Sequence, residues 1–145
     1  MALTQDIIGR LVDRAGLLHG RVEGAAQFAH MMAQNRLPQV TPAANVLPLG
    51  MTGGQPDAGA GMFTQMVDET VAVILTTRTG DPVKERGRQL LDDLIDEVVL
   101  ALCGWAPNDE VGVMVFVRSQ LVAVKAGAVV YQIDFKLSDQ LRIAQ

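Results

Sequence analysis

A chain of 145 residues suits one domain, and with 49% apolar residues it can bury a sizeable core. Its net charge of −4 and pI near 5.0 speak against non-specific nucleic-acid binding, which needs a surplus of Lys and Arg facing phosphates. The lone cysteine, Cys103, excludes an intramolecular disulfide framework, and no oxidising compartment is called for.

The first 14 residues mix charges with apolar side chains and lack the unbroken apolar core of a signal peptide. No stretch reaches the roughly 18 apolar residues of a membrane helix. Thr4 is suited to cap a first helix, along which Ile7, Ile8, Leu11, Val12 and Ala15 fall on one face. Arg10, Asp13 and Arg14 fall on the other. Residues 24–35, rich in Ala and Met, read as a short second helix that Pro38 and Pro42 prevent from continuing. Residues 43–49 (AANVLPL) are a short strand, and Pro48 confines it to a sheet edge or a strand end.

Residues 50–61 (GMTGGQPDAGAG) read as a long flexible loop. Residues 62–78 then form a long strand whose second half, VAVILTT, has the β-branched composition that strands favour. Glu69 falls on its apolar parity, so either a bulge intervenes or the first half leaves the core. Asp81 and Pro82 are placed to start a third helix. Its stripe is Leu90, Leu91, Leu94, Ile95, Val98, Val99 and Leu102, and Gly104 stops it. Residues 111–126 and 128–137 are two further strands joined at Gly127, an antiparallel hairpin, and the polar end, 138–145, reads as a loose tail. The pattern is α+β: a two-layer, mostly antiparallel sheet with a long strand and a C-terminal hairpin, packed against two main amphipathic helices in a single domain over 1–145. Helices and strands do not alternate as a doubly wound fold requires.

Reactive groups that converge are missing from this pattern. His19 and His30 lack the partners of a metal site. Cys103 ends an apolar helical stripe with no basic neighbour in sequence to activate it. The glycine-rich segment lacks the Gly-Lys-Ser/Thr of a phosphate loop. No catalytic, metal-binding or cofactor-binding residue is assigned, and the chain does not read as an enzyme. Asp92, Asp93, Asp96 and Glu97 line the outer face of the third helix and read as a solvated surface. Lys84, Arg86 and Arg88 occupy its first half, against the helix dipole, at a cost of a few tenths of a kcal/mol per charge. Such a bipolar face, plus end first, suits contact between copies in a closed ring.

The ordered set of elements resembles the tail terminator proteins of bacteriophages. The resemblance is carried by the N-terminal helix TQDIIGRLVDRAG, the early strand PAANVLPLG, a glycine-rich insertion and the long strand FTQMVDETVAVILTTR. The helix ending in ALCGWAP and the final VVYQIDFKL continue it, so it spans nearly the whole chain. It implies a structural virion protein of the tail or neck, assembled in the host cytoplasm. It further implies a homo-oligomer, a hexameric ring that caps the tail tube, stops its polymerisation and presents a surface to the head–tail connector. No cofactor, membrane or sequence-specific nucleic acid is implied, although a ring leaves a passage for DNA. Within that reading Arg86, Arg88, Asp92 and Asp93 are candidate contacts between copies. Phe63 and Gln65 are candidates on the exposed part of the long strand, which could add edge to edge to a neighbour. Arg118 and Lys125 lie on the hairpin, where they could face a channel. The alternative is a small α+β ligand-binding or enzyme domain with a pocket under the glycine-rich segment, which a ligand-induced rise in melting temperature would reveal.

Overall fold

The computed structural model describes residues 3–78, 84–107, 112–125 and 127–145, with side chains of the long helix from Arg88 onward. In chain order come α1 (Leu3–Arg14), a 3-10 turn at Gly16–Leu18, β1 (Val22–Glu23), α2 (Ala25–Ala33) and β2 (Ala43–Asp57). A second 3-10 turn at Gly59–Gly61 leads into β3 (Met62–Arg78), followed by α3 (Lys84–Leu102), β4 (Val115–Lys125) and β5 (Ala128–Ala144). The strands form one sheet in the order β1-β2-β3-β5-β4. β1 runs parallel to β2 and the other neighbours are antiparallel, so the sheet is mixed and open and the fold is α+β.

Two periodicities build the core. In α1, Leu3, Ile7 and Leu11 recur every fourth residue and are buried, and Ala15 continues the row. They meet Leu94, Val98, Ala101 and Leu102 of α3. In the strands the period is two: Val71, Val73 and Leu75 of β3 and Ile133, Phe135 and Leu137 of β5 point to the same side. Each large side chain buried there contributes about 1.5–3 kcal/mol. The alternate residues, Ala72 and Ile74 with Val130, face the other side, where Phe28 of α2, Leu37 and Leu47 cover them. Val12, read as part of the α1 stripe, is exposed; the stripe follows every fourth residue and leaves it at the margin.

Arg10 and Trp105 clamp α1 to the end of α3. The Arg10 Nε–H donates to the Ala101 carbonyl at 2.8 Å, and its guanidinium lies 5.1 Å from the centre of the Trp105 ring. The last carbonyls of a helix have no partner within it, so a cation there satisfies a group and complements the dipole. Arg10→Ala is expected to cost about 1–3 kcal/mol, measured by urea unfolding; a loss under a few tenths would contradict the clamp.

Several sequence expectations change. The residues 50–61 expected as a loop are largely strand: β2 continues through Asp57, and only the turn at Gly59–Gly61 separates it from β3. Glycine and proline in that stretch hide the strand from propensity, but β3 supplies the ladder partners that decide the matter. The expected tail is strand as well. β5 pairs with β3 without interruption from Ala128–Arg78 to Ala144–Met62, and Gln145 closes the end by donating its N–H to the Gly61 carbonyl. Pro48 lies within β2, beside a register shift and beyond the short reach of β1, so its missing N–H falls on an open edge.

The pairing also settles the parity of Glu69. β3 carries no bulge against β5; its first half leaves the core instead. That half lies between β2 and β5, so both of its edges are used. The exposed part of β3 therefore cannot add edge to edge to another chain, as the sequence suggested. Thr4 lies inside α1 rather than capping it. Glu97, expected on a solvated face, is half-buried and accepts the Leu17 N–H at 3.1 Å, tying the first 3-10 turn to α3. Gly104 takes a positive φ of 80° just past α3 and Gly127 one of 78° in the final hairpin, both conformations that glycine adopts at little cost. The proposed cap residues Asp81 and Pro82 lie outside the described residues.

Candidate functional site

The long strands reach well past the helices. Residues 49–57 of β2, 62–69 of β3 and 138–144 of β5 form a three-stranded arm. Its faces carry exposed Leu49, Met51, Met62, Met66 and Ile143. β1 covers β2 only at Ala44 and Asn45, and β4 covers β5 only as far as the Val115–Lys136 pair. The arm's outer backbone edges are therefore open along most of their length.

β4 is the second unusual surface. It closes the other side of the sheet, and apart from half-buried Ser119 each of its residues is exposed. Val115, Phe116, Val117, Leu121, Val122 and Val124 are large apolar side chains open to solvent, Val124 at 66%. Two register shifts, at Val117 and Val122, twist the strand. Phe116 leans edge-to-face on Phe135 at 6.3 Å between ring centres. The sequence hides this surface, because the runs GVMVFV and LVAV look like a buried strand. The signal that could have exposed it is the Arg118-Ser119-Gln120 interruption between the two runs.

The residues singled out from sequence fall into three separate places. Arg88 and Asp92 are exposed one turn apart on α3, and Asp93 accepts from the Gln89 amide at 2.9 Å. Arg86 belongs to α3, but its side chain lies outside the described residues. Phe63 and Gln65 are on the arm. Phe63 sits opposite Ile143, and the Gln65 amide donates to the Gly54 carbonyl at 2.9 Å, bracing β3 against β2.

Arg118 and Lys125 share β4 but stand seven residues apart, about 24 Å along a strand, so they do not form one basic patch. Lys125 donates to Asn35 at 3.1 Å. Arg118 bonds Asp134 at 2.9 Å, with the Arg side chain 66% exposed and the Asp 3%. Gln132 donates to the other oxygen of that carboxylate at 2.8 Å. Arg118 thus has a structural duty independent of any partner: it satisfies a buried anion. Arg118→Ala is expected to lower stability by about 1–3 kcal/mol, read by denaturant unfolding. An unchanged midpoint would show that Gln132 and water suffice.

The chemistry available elsewhere is limited. Among the described residues no three His, Cys, Asp or Glu side chains come together. The hollow on the arm between Met51, Val67, Glu69, Asp139 and Leu141 holds about 20 Å³, space for about one water. The glycine-rich segment is part of a sheet, and among the described residues this hollow on the arm is water-sized rather than metabolite-sized. A larger open groove of about 500 Å³ runs beside β1 and α2, past Arg21, Glu23, His30 and Arg36. No nucleophile sits within hydrogen-bond reach of a base there; the Arg21 Nε–H is taken by the Pro42 carbonyl, and His30 meets Gln34 at 3.3 Å. No helix among the described residues is long and apolar enough to cross a membrane.

What the surface offers is two separate apolar β surfaces, the arm and β4, in a chain whose described residues assemble no reaction centre. A solved chain from the virion of a native gene transfer agent particle has the same fold, with a TM-score of 0.53 at 17% identity over 96% of this chain and 95% of that one. No curated protein sequence matches. The family model described as phage tail terminator protein matches residues 1–145, and the chain belongs to that family of structural tail proteins.

Proposed function

We propose that this protein forms a hexameric ring that caps the tail tube, stops its polymerisation and offers the joining surface for the head–tail connector. It works as one domain, without catalysis or cofactor, and is assembled in the host cytoplasm with its passage open to DNA. The observation that carries this reading is the family match over the whole chain. The geometry supports it, because a ring built head to tail needs two different surfaces on every copy, and the arm and β4 are two such surfaces. Arg88, Asp92 and Asp93 supply a charged face on α3 for contact between copies, Arg86 of the same helix is a further candidate from the sequence, and Phe63 and Gln65 belong to the arm.

Negative-stain imaging of the purified protein mixed with its cognate tail-tube protein tests the proposal. Tubes of limited length with a six-fold density at one end are the expected result. Unaltered tube growth with bare ends would overturn it.

A further inference from the structure

We infer that, within the ring proposed above, β4 of one copy docks on the three-stranded arm of the next. The inference rests on that reading of the protein as a ring. The first support is the edge itself. β4 offers eleven residues, about 35 Å of strand, bonded to β5 on one side only. Long exposed apolar edges are templates for pairing with another chain, and proteins blunt them with charge, proline or cover. β4 has no proline, and Arg118 and Lys125 are its only charges. Its two bulges twist the edge but also turn Val117 and Val122 outward.

Charge identifies the occupant. β4 carries two cations and no acid; Arg118 is paired with buried Asp134, and the Lys125 charge is left for a partner's acid. The arm carries Asp57, Asp68, Glu69 and Asp139 against Arg142 within it and Lys136 at its base, 3.9 Å from Asp68. A basic apolar strand and an acidic apolar arm on the same chain attract between copies, whereas two β4 strands or two arms repel. The contact joins two unlike surfaces, and passed head to tail from copy to copy it is the kind of contact that builds the proposed ring. Gly50, Gly53 and Gly54 thin the side-chain cover on the β2 side of the arm, which lets a neighbouring backbone approach there. Met51 and Met66, on opposite faces of the arm, supply adaptable apolar contact to either side of the incoming strand.

The test uses two full-length variants beside the wild type. V122E/V124E puts two acids into the apolar face of β4 and offsets its cations, and M51K/M66K offsets two of the arm's acids and places cations in its apolar contact. All four side chains are exposed, so both proteins should melt within a few degrees of the wild type. Each is examined by sedimentation velocity, alone and in equimolar mixture, and by negative stain with tail-tube protein. Loss of the ring is expected for either variant alone, together with loss of the cap on tubes. The mixture is expected to stop at a dimer, because one variant retains a good arm and the other a good β4. A V122E/V124E protein that still closes the wild-type ring overturns the inference. So does one that forms rings and fails only to cap tubes, which would assign β4 to the tube. A wild type that forms no ring, alone or on tubes, would instead refute the proposed function and carry this inference down with it.

Discussion

Phe135→Ala is expected to be among the most damaging single changes in the molecule. The ring is fully buried at the centre of the sheet, on β5 between Val71 of β3 and Phe116 of β4. Phe-to-Ala changes in close-packed cores cost about 3–5 kcal/mol, because the removed contacts are joined by a cavity that the surroundings only partly fill. For a chain of this size that lowers the melting temperature by roughly 10–20 °C. The damage should also spread to β4, since Phe116 rests on the lost ring. Phe116→Ala is the control. Its side chain is half in solvent, so about 1 kcal/mol or less is expected. Equal losses for the two, by thermal or urea unfolding, would contradict the placement of the core.

Removing residues 140–145 should separate stability from assembly. These residues pair with Met62–Met66 of β3, and Gln145 bonds Gly61 at the tip of the arm. None of them belongs to either buried cluster. The shortened chain is therefore expected to keep its core and most of its melting temperature. Amides of residues 62–66 that donate to β5 should lose protection from hydrogen exchange, since their partners are gone. The ring and the capping of tubes should be lost with the arm. Protection that persists at residues 62–66, or rings that still form, would show that β2 alone holds β3 in place and that the arm's third strand is dispensable.

The core was legible because its periodicities are clean. Leu90 to Leu102 repeats at helical spacing, and Tyr131, Ile133, Phe135 and Leu137 alternate with polar residues. Those patterns depend on which face is buried, and the structure buries the expected ones. The arm was not legible. Gly50, Gly53, Gly54 and Pro56 disfavour strand in isolation, and Ser138, Asp139 and Gln140 look solvated, yet each segment is held by ladder bonds to β3. Non-local pairing outweighed local preference there. The edge position of β4 was hidden for a different reason: an apolar run does not reveal whether it is covered by its own chain or by another. That ambiguity concerns assembly rather than folding, and the sites most relevant to function fall in it. Of the residues proposed from sequence, Arg118 turned out to satisfy buried Asp134, and Phe63 and Gln65 lie on a strand whose two edges are already paired.

The claim that this protein ends a tube is tested most directly by titrating it into polymerising cognate tail-tube protein and measuring the distribution of tube lengths. A cap acts only at ends, so mean length should fall at protein-to-subunit ratios far below one, with growth halted rather than slowed and a ring visible on the stopped end. Tubes that keep their full length at such ratios, or that shorten only when the protein approaches equimolar amounts, would contradict it.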